Sequence, residues 1–242
     1  MNRIWLLIAV AAANGQGQPP APAFEIISIK PTPKERLYTL KRDCLHDRFE
    51  AAGMPLSFLV EWSFGFGSTR LLGLPEWTND FDLAYDIDAK AAAPMNLQQC
   101  KLMVQSLLTE RFKMTAHRET REMRAYALVV GKSGSKLRPE GAGVRINGAR
   151  FQTLSDPELP KGISMSRLAG ILSDYSEVGL PVVDRSGLSG NYSFELVFSM
   201  KEGDDRVSVF TAVQQQLGLK LEPVKAPLEV LVVDRIEKAS AN

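Results

Sequence analysis

The chain has 242 residues, of which 45% are hydrophobic and 24% are charged, a composition that is typical of a globular protein and excludes a disordered or fibrous chain. The 29 lysines and arginines nearly balance the 28 aspartates and glutamates, and the net charge of +1 argues against a nucleic acid or a polybasic membrane-surface role. Two histidines and two cysteines supply few metal ligands, so we predict neither a metal nor a cofactor.

The N-terminus has the pattern of a secretory signal. One positive charge precedes an apolar run at residues 4–13, and Ala11 and Ala13 are small residues at the spacing that signal peptidase requires. The run is shorter than the ~20 residues of a membrane-spanning helix. We therefore predict a signal peptide at residues 1–13, a flexible tether at residues 14–23, no transmembrane segment in the mature chain, and a periplasmic or secreted location. An uncleaved N-terminal anchor is the alternative.

The two cysteines, Cys44 and Cys100, leave two alternatives open. Exported proteins with an even number of cysteines often carry disulfides, and a bridge between these two would close a loop of about 57 residues. Cys100 also lies on the apolar face of a predicted helix, where a buried free thiol acts as a small hydrophobic side chain.

The first half of the chain, residues 24–137, is predicted to contain several strands and two helices. Alternating apolar residues predict strands at residues 24–30, 48–51, 81–87, 112–116 and 125–130. Apolar residues at helical spacing predict one helix that ends at Gly65 and another over Leu97–Arg111. In the strand at residues 81–87, Asp80, Asp82, Asp86 and Asp88 are expected to share one acidic face.

The second half, residues 161–242, repeats this order after a polar linker at residues 138–160. Ser164 opens one predicted helix and a second covers Val209–Leu217. Strands are predicted at residues 181–183, 192–198, 219–221 and 228–234, the last of them buried. The pattern predicts an α+β fold of two tandem pseudo-repeats, each a small mixed sheet packed with two helices.

Short motifs follow one another in order from about residue 24 to the end: Ser28-Ile29-Lys30-Pro31, the HRETRE stretch at residues 117–122, Pro181-Val182-Val183-Asp184, the QLGLKL stretch at residues 216–221, and Val230-Leu231-Val232-Val233-Asp234. Together they resemble a secreted family of soil bacteria called soil-associated proteins, which is built on a domain of unknown function. Some relatives carry this domain behind a membrane-embedded zinc peptidase, which implies a sensing or interaction role outside the cytoplasm. Each half is also similar in pattern to the short N-terminal domain of secretins and TonB-dependent receptors.

Four aromatic residues, Trp62, Phe64, Phe66 and Trp77, surround a glycine-rich loop and form the candidate binding site. Aromatic side chains in a loop are typical anchors of a binding surface. The alternative is that they cap the core between a helix and the sheet.

The candidate for catalysis is weaker. His117 lies beside Glu119 and Glu122 and could act as a general base with a carboxylate of the acidic strand, but no serine or cysteine carries a local signature of a nucleophile. We therefore assign no catalytic residue and expect a non-enzymatic domain that binds an envelope protein, a peptide or another cell-envelope component. The alternative is a hydrolase that acts on cell-wall or polymer fragments with His117 and nearby carboxylates.

Overall fold

The computed structural model describes residues 22–139, 141, 143–147, 149–150, 162–199 and 205–239. Within these residues lie four α-helices, α1 (Leu56–Phe64), α2 (Leu97–Arg111), α3 (Met165–Ser173) and α4 (Val209–Leu217). They pack with three β-sheets, two helices in each half, which confirms the predicted α+β class. The predicted signal peptide and residues 14–21 of the tether lie outside the described residues.

The strands are β1 (Ile26–Pro31), β2 (Lys41–Leu45), β3 (Arg48–Met54), β4 (Leu71–Leu72), β5 (Tyr85–Lys90), β6 (Thr115–Val130), β7 (Arg138–Pro139), β8 (Val144–Ile146), β9 (Ala149–Arg150), β10 (Val182–Asp184), β11 (Tyr192–Leu196) and β12 (Leu219–Arg235). The first sheet has the order β1-β5-β3-β2 and is antiparallel throughout. The second sheet has the order β10-β6-β12-β4 and the third β7-β11-β8-β9.

The second sheet joins the two halves of the chain. Its long strands β6 and β12 are antiparallel, with Leu219 opposite Val130 at one end and Arg235 opposite Thr115 at the other. β4 of the first half pairs in parallel with β12, and β10 of the second half pairs in parallel with β6. Each half therefore adds its short strand to the long strand of the other half.

Both long strands are continuous where the sequence pattern predicts two shorter strands each. Charged residues at 117–124 interrupt the apolar alternation of β6, but the pairing with β12 continues through them. Pro223 and Pro227 lie inside β12, and β4 covers only Leu231 and Val232 on its far side. Proline is tolerated in such an open strand because its missing N–H faces away from the paired neighbour.

The helix boundaries follow local capping signals. Asn96 and Gln99 form a capping box at the start of α2, each side chain accepting the backbone N–H of the other residue. Ser164 and Ser208 each accept a backbone N–H at the start of α3 and α4. α1 ends at Gly65, whose φ of 75° is the left-handed conformation that glycine adopts without a Cβ penalty. α2 and α4 have the predicted bounds.

Two clusters of buried side chains form the cores, one in each half. The first core packs α1 and α2 on the first sheet and also takes Leu231 and Val233 from the C-terminal strand β12. The second core packs α3 and α4 and takes Leu128 from β6. In the segment predicted to be buried, Val230 is buried together with Leu231 and Val233, whereas Leu228 is half-buried.

A disulfide joins Cys44 on β2 to Cys100 on α2 across a sequence separation of 56 residues. Cys100 is also fully buried in the first core, so the bridge and the apolar packing that the sequence left as alternatives occur together. Closing a loop of this length stabilises a fold by about 4 kcal/mol in the chain-entropy model.

Candidate binding site

The four aromatic residues of the candidate site lie at the edge of the first core. Trp62 and Phe64 belong to α1, Phe66 follows its C-terminus, and Trp77 lies in a 3-10 turn at Glu76–Asn79. Phe66 is buried, with 4% of its surface exposed, and the other three are half-buried against the core. They do not form an open aromatic patch, because their apolar surfaces contact the core.

Trp62 lies between the core and two basic side chains. Its ring stacks on the buried Phe49, with 5.8 Å between the ring centroids. The Arg42 guanidinium lies 4.6 Å from the centroid of the Trp62 ring, and the Lys101 ammonium lies 5.5 Å from it. These distances are within the range of cation–π contacts, so the indole holds both cations.

The same pairing of a cation with an aromatic ring recurs at two other predicted site residues. The guanidinium groups of Arg70 and Arg118 lie 5.3 and 5.1 Å from the centroid of Phe66. The Lys238 ammonium lies 5.7 Å from the centroid of Trp77. The surface above the predicted aromatic site is therefore basic.

The cations at Trp62 are desolvated and repel one another. Burial lowers the pKa of the Arg42 guanidinium, and burial together with the positive charges of Arg42 and Arg167 lowers the pKa of Lys101. Within the described part of the chain, no carboxylate forms an ion pair with Arg42 or Lys101. We refer to Arg42, Lys101 and Arg167 as the basic cluster.

The disulfide lies next to the basic cluster. Arg42 is two residues before Cys44 on β2, so both side chains leave the same face of the strand, and Lys101 directly follows Cys100 on α2. A covalent bond therefore ties together the strand and the helix that carry the two cations.

Two carboxyl groups face each other where the two halves meet. Burial and the nearby Asp174 carboxylate raise the pKa of Glu61, on α1, to about 7. Burial also raises the pKa of Asp174, at the end of α3, against the attraction of Arg167 and Arg70. Asp174 also lies against the loop that follows α1, because a Cβ on Gly67 would lie 2.6 Å from Asp174 Oδ1. We refer to Glu61, Gly67 and Asp174 as the junction.

The predicted acidic face differs from the observed one. Residues Phe81–Leu83 form a 3-10 turn in which the Asp80 side chain accepts the Asp82 N–H at 2.9 Å, and β5 begins only at Tyr85. An aspartate that bonds to the backbone two residues on favours a turn over a strand. Only Asp86 and Asp88 therefore share the strand face.

On that face, each carboxylate has a basic partner. Asp86 pairs with Arg36 and Asp88 with Arg48, and the hydrogen bond from Arg48 lowers the pKa of Asp88. Lys41 binds Glu50 at 3.0 Å. We refer to this surface of the first sheet as the outer face.

His117 lies elsewhere, on the long strand β6. Its Nδ1 is 3.0 Å from Asp234 Oδ2 and its Nε2 is 3.7 Å from Glu119 Oε2. The hydrogen bond with Asp234 and the charge of Glu119 raise the pKa of His117, which is half exposed. Asp86 and Asp88, two of the carboxylates that the hydrolase alternative pairs with His117, form ion pairs with Arg36 and Arg48 on the outer face.

The cations and carboxyl groups at Trp62 and the junction were not predicted from the sequence. One signal pointed to them, since Arg42 and Lys101 flank the two cysteines. A second is Glu61, the single charged residue of helix α1. Both become informative only when the partner elements are known, because the contacts join distant parts of the chain.

A family model described as a protein of unknown function (DUF3738) matches residues 57–236. No curated protein and no solved structure matches the chain. None of the described helices is long and apolar enough to cross a membrane. Among the described residues, no group of three or more histidine, cysteine or acidic side chains is placed to hold a metal ion.

Proposed function

The chain belongs to the DUF3738 family of proteins of unknown function, and we propose that it is a secreted or periplasmic, non-enzymatic domain that binds a protein or another component of the cell envelope. The observation that carries the proposal is the basic cluster. Two desolvated cations share the Trp62 ring and form no ion pair with a described carboxylate, although the charge of the adjacent Asp43 acts on Arg42. Desolvated charges that lack a partner cost free energy in the isolated domain, and a bound anion would offset that cost.

The disulfide and the sequence of the N-terminus support the proposed location. Disulfides persist in oxidising compartments such as the periplasm and the extracellular medium, and Cys44 and Cys100 are bridged. The resemblance to secreted soil-associated proteins, some of which follow a membrane-embedded peptidase, points to the same compartment and to an interaction role.

The location is tested by fractionating cells that express the whole chain. We expect the protein in the periplasm or the medium, with an N-terminus after Ala13 or within residues 14–23, as measured by mass spectrometry. Its cysteines should react with a maleimide only after reduction. Recovery from the membrane with an intact Met1 and free thiols would contradict the proposed location.

The function is tested by capture from an envelope extract on the immobilised protein. We expect the wild type to retain a defined component that an Arg42→Gln, Lys101→Gln variant retains poorly. A Lys220→Gln variant is the matched control, because Lys220 lies on the other half and pairs with Glu222 at 3.0 Å. If the wild type retains nothing beyond the blank resin, the binding function is wrong.

A hydrolase is the alternative, and the observation that favours it is the pairing of His117 with Asp234. An aspartate that orients a histidine is part of many catalytic triads. Here the other ring nitrogen faces Glu119 at 3.7 Å, and both His117 and Asp234 are about half exposed. A pair of this kind in solvent matches an ordinary surface ion pair, so we favour the binding domain.

A further inference from the structure

The basic cluster concentrates positive charge at one aromatic ring. Arg42 and Lys101 both lie within 5.5 Å of the Trp62 centroid, and Arg167 from the second half is close enough to act on the charge of Lys101. Like charges at such short range repel, more strongly where burial lowers the local dielectric. Neither Arg42 nor Lys101 forms an ion pair with a described carboxylate. An anion bound between the two cations would offset their repulsion, and we therefore regard the cluster as a candidate anion site.

The packing of Trp62 restricts the chemistry of the ligand. Sugars and nucleobases are bound by stacking on an open aromatic face, but the Trp62 ring packs on Phe49 and is covered by the Arg42 guanidinium. The cationic groups of Arg42 and Lys101, both half-buried side chains, contact the ring and supply the charge of the site. Recognition at this site is therefore by charge-assisted hydrogen bonds to an oxyanion.

The neighbouring junction favours an anion of low charge. Glu61 lies directly before Trp62 on α1, and Asp174 interacts with Arg167 of the basic cluster. These two carboxyl groups oppose the approach of a doubly charged phosphate more than that of a carboxylate, which carries one negative charge. The planar guanidinium of Arg42 also matches a carboxylate with two parallel hydrogen bonds.

We propose that the basic cluster binds a carboxylate side chain of an acidic peptide segment in the partner, and that the Cys44–Cys100 disulfide positions Arg42 and Lys101 for it. This inference rests on the proposed binding function and names the ligand chemistry of that site. The disulfide contributes because it fixes the distance between β2 and α2, the two elements that carry the cations. A site held in its binding geometry before the ligand arrives loses less entropy on binding.

The test is a titration of the full chain, followed by calorimetry, with an acetylated and amidated Gly-Gly-Glu-Gly-Gly peptide, which carries one negative charge. The same peptide with glutamine in place of glutamate is the neutral control and inorganic phosphate is the second arm. We expect saturable binding of the glutamate peptide only, with a Kd that rises with sodium chloride concentration because the contacts are ionic. Equal binding of the glutamine peptide, tighter binding of phosphate, or no binding of the glutamate peptide would overturn the inference.

The position of the ligand is tested by fluorescence. Of the three tryptophans, Trp5 and Trp77 are replaced by phenylalanine, so that Trp62 is the sole reporter. The glutamate peptide should change its emission with the same Kd as calorimetry gives. An unchanged emission at saturation would place the peptide elsewhere and overturn the proposed site.

Four variants separate binding from folding. Arg42→Gln and Lys101→Gln should each weaken the peptide affinity about tenfold, the size of one charge-assisted hydrogen bond, whereas Lys220→Gln should leave the Kd unchanged. Lys101→Gln should melt no lower than the wild type, because the substitution removes a repelling charge. The Cys44→Ser, Cys100→Ser variant should bind the peptide more weakly than the wild type. If Lys101→Gln folds and binds the peptide normally, the basic cluster is not the site, although a partner captured from the envelope would still support the proposed function.

Discussion

The outer face and the surroundings of Trp62 belong to the same half of the molecule, and they arrange their charges in opposite ways. On the outer face, Arg36 and Arg48 each have a carboxylate partner on β5. Around Trp62, Arg42 and Lys101 contact an aromatic ring and lie near other cations. The cations of the outer face are therefore paired with carboxylates, whereas those around Trp62 are grouped together.

The comparison suggests how to separate structural charges from functional ones in a chain with a net charge of +1. Paired charges on the outer face satisfy each other, and their removal should affect the stability of the fold. In the basic cluster, Arg42 and Lys101 form no ion pair with a described carboxylate, and their removal should affect binding. Four variants test this distinction. They are given in order of decreasing expected effect on the stability of the fold.

The largest effect is expected from loss of the disulfide, which joins the strand that carries Arg42 to the helix that carries Lys101. The Cys44→Ala, Cys100→Ala variant should lose about 4 kcal/mol of unfolding free energy because the loop in the unfolded chain is no longer closed. Urea unfolding measures the loss. Hydrogen exchange should show that the amides of α2 lose more protection than those of β5, because the bridge joins α2 to β2.

Treatment of the wild type with a reductant is the control for this variant and should give a similar loss. Equal midpoints of urea unfolding for the oxidised and reduced wild type would contradict the assigned role of the bridge. Equal loss of protection in α2 and β5 would remove the contrast between the two regions.

The next effect is expected on the outer face, at Asp86. Its carboxylate has 16% of its surface exposed and accepts hydrogen bonds from Arg36, the Thr32 hydroxyl and the Gly53 N–H. Asp86→Ala leaves these donors unsatisfied and should cost about 2 kcal/mol of unfolding free energy. Affinity for the glutamate peptide should not change, because the basic cluster is intact. Asp82→Ala, at an exposed turn residue, is the matched control and should change stability by less than about 0.5 kcal/mol.

Local features of the molecule follow from the sequence, and contacts between distant residues do not. Asn96, Ser164 and Ser208 identify the helix starts because a cap acts over three residues. The strand predicted through residues 81–83 is a turn because the Asp80 side chain bonds to the nearby backbone. The alternation of apolar residues cannot distinguish a strand from a turn here, because it depends on side-chain polarity and not on hydrogen bonds between a side chain and the backbone.

Only part of the candidate site could be predicted, because sequence patterns record neighbouring residues and not contacts between distant ones. The aromatic segment around Trp62 is visible as a local cluster, and the structure places it beside the basic cluster. Arg42 and Lys101 are 59 residues apart in the sequence and meet only because β2 and α2 pack on the same core. The effect of Asp174 on the pKa of Glu61 depends on how the two halves pack, which no local pattern records.

A smaller effect, dependent on pH, is expected at the junction. Burial and Asp174 raise the pKa of Glu61 to about 7, from an ordinary value of 4.5 for an exposed glutamate. Between these values the folded state holds a proton that the unfolded state releases, so the unfolding free energy falls as pH rises through this window. Allowing for the partial exposure of Glu61, the fall amounts to about 1 kcal/mol.

Glu61→Gln should remove that fall, because the amide does not ionise. Urea unfolding at pH 5 and at pH 8 measures this effect. The unfolding free energy of the variant, relative to that of the wild type, should be higher at pH 8 than at pH 5. Arg167 and Arg70 oppose the effect through Asp174 and are unchanged in the variant. Glu195→Gln, at an exposed position of the second half, is the matched control and should leave the pH dependence of the wild type in place. A Glu61→Gln profile parallel to that of the wild type would contradict the assignment.

The smallest effect is expected at His117, whose charges are paired as those of the outer face are. The hydrogen bond with Asp234 raises the pKa of His117, so its ion pairs contribute below that pKa and are lost as pH rises through it. The side chain is half exposed, and His117→Ala should therefore leave the melting temperature at pH 8, the captured envelope component and the affinity for the glutamate peptide unchanged. This variant separates the binding domain from the hydrolase. The purified protein and the folded His117→Ala variant are both assayed for cleavage of an envelope polymer. Cleavage by the wild type and not by the variant would show that the pair of His117 with Asp234 is catalytic. The proposed binding function would then be wrong.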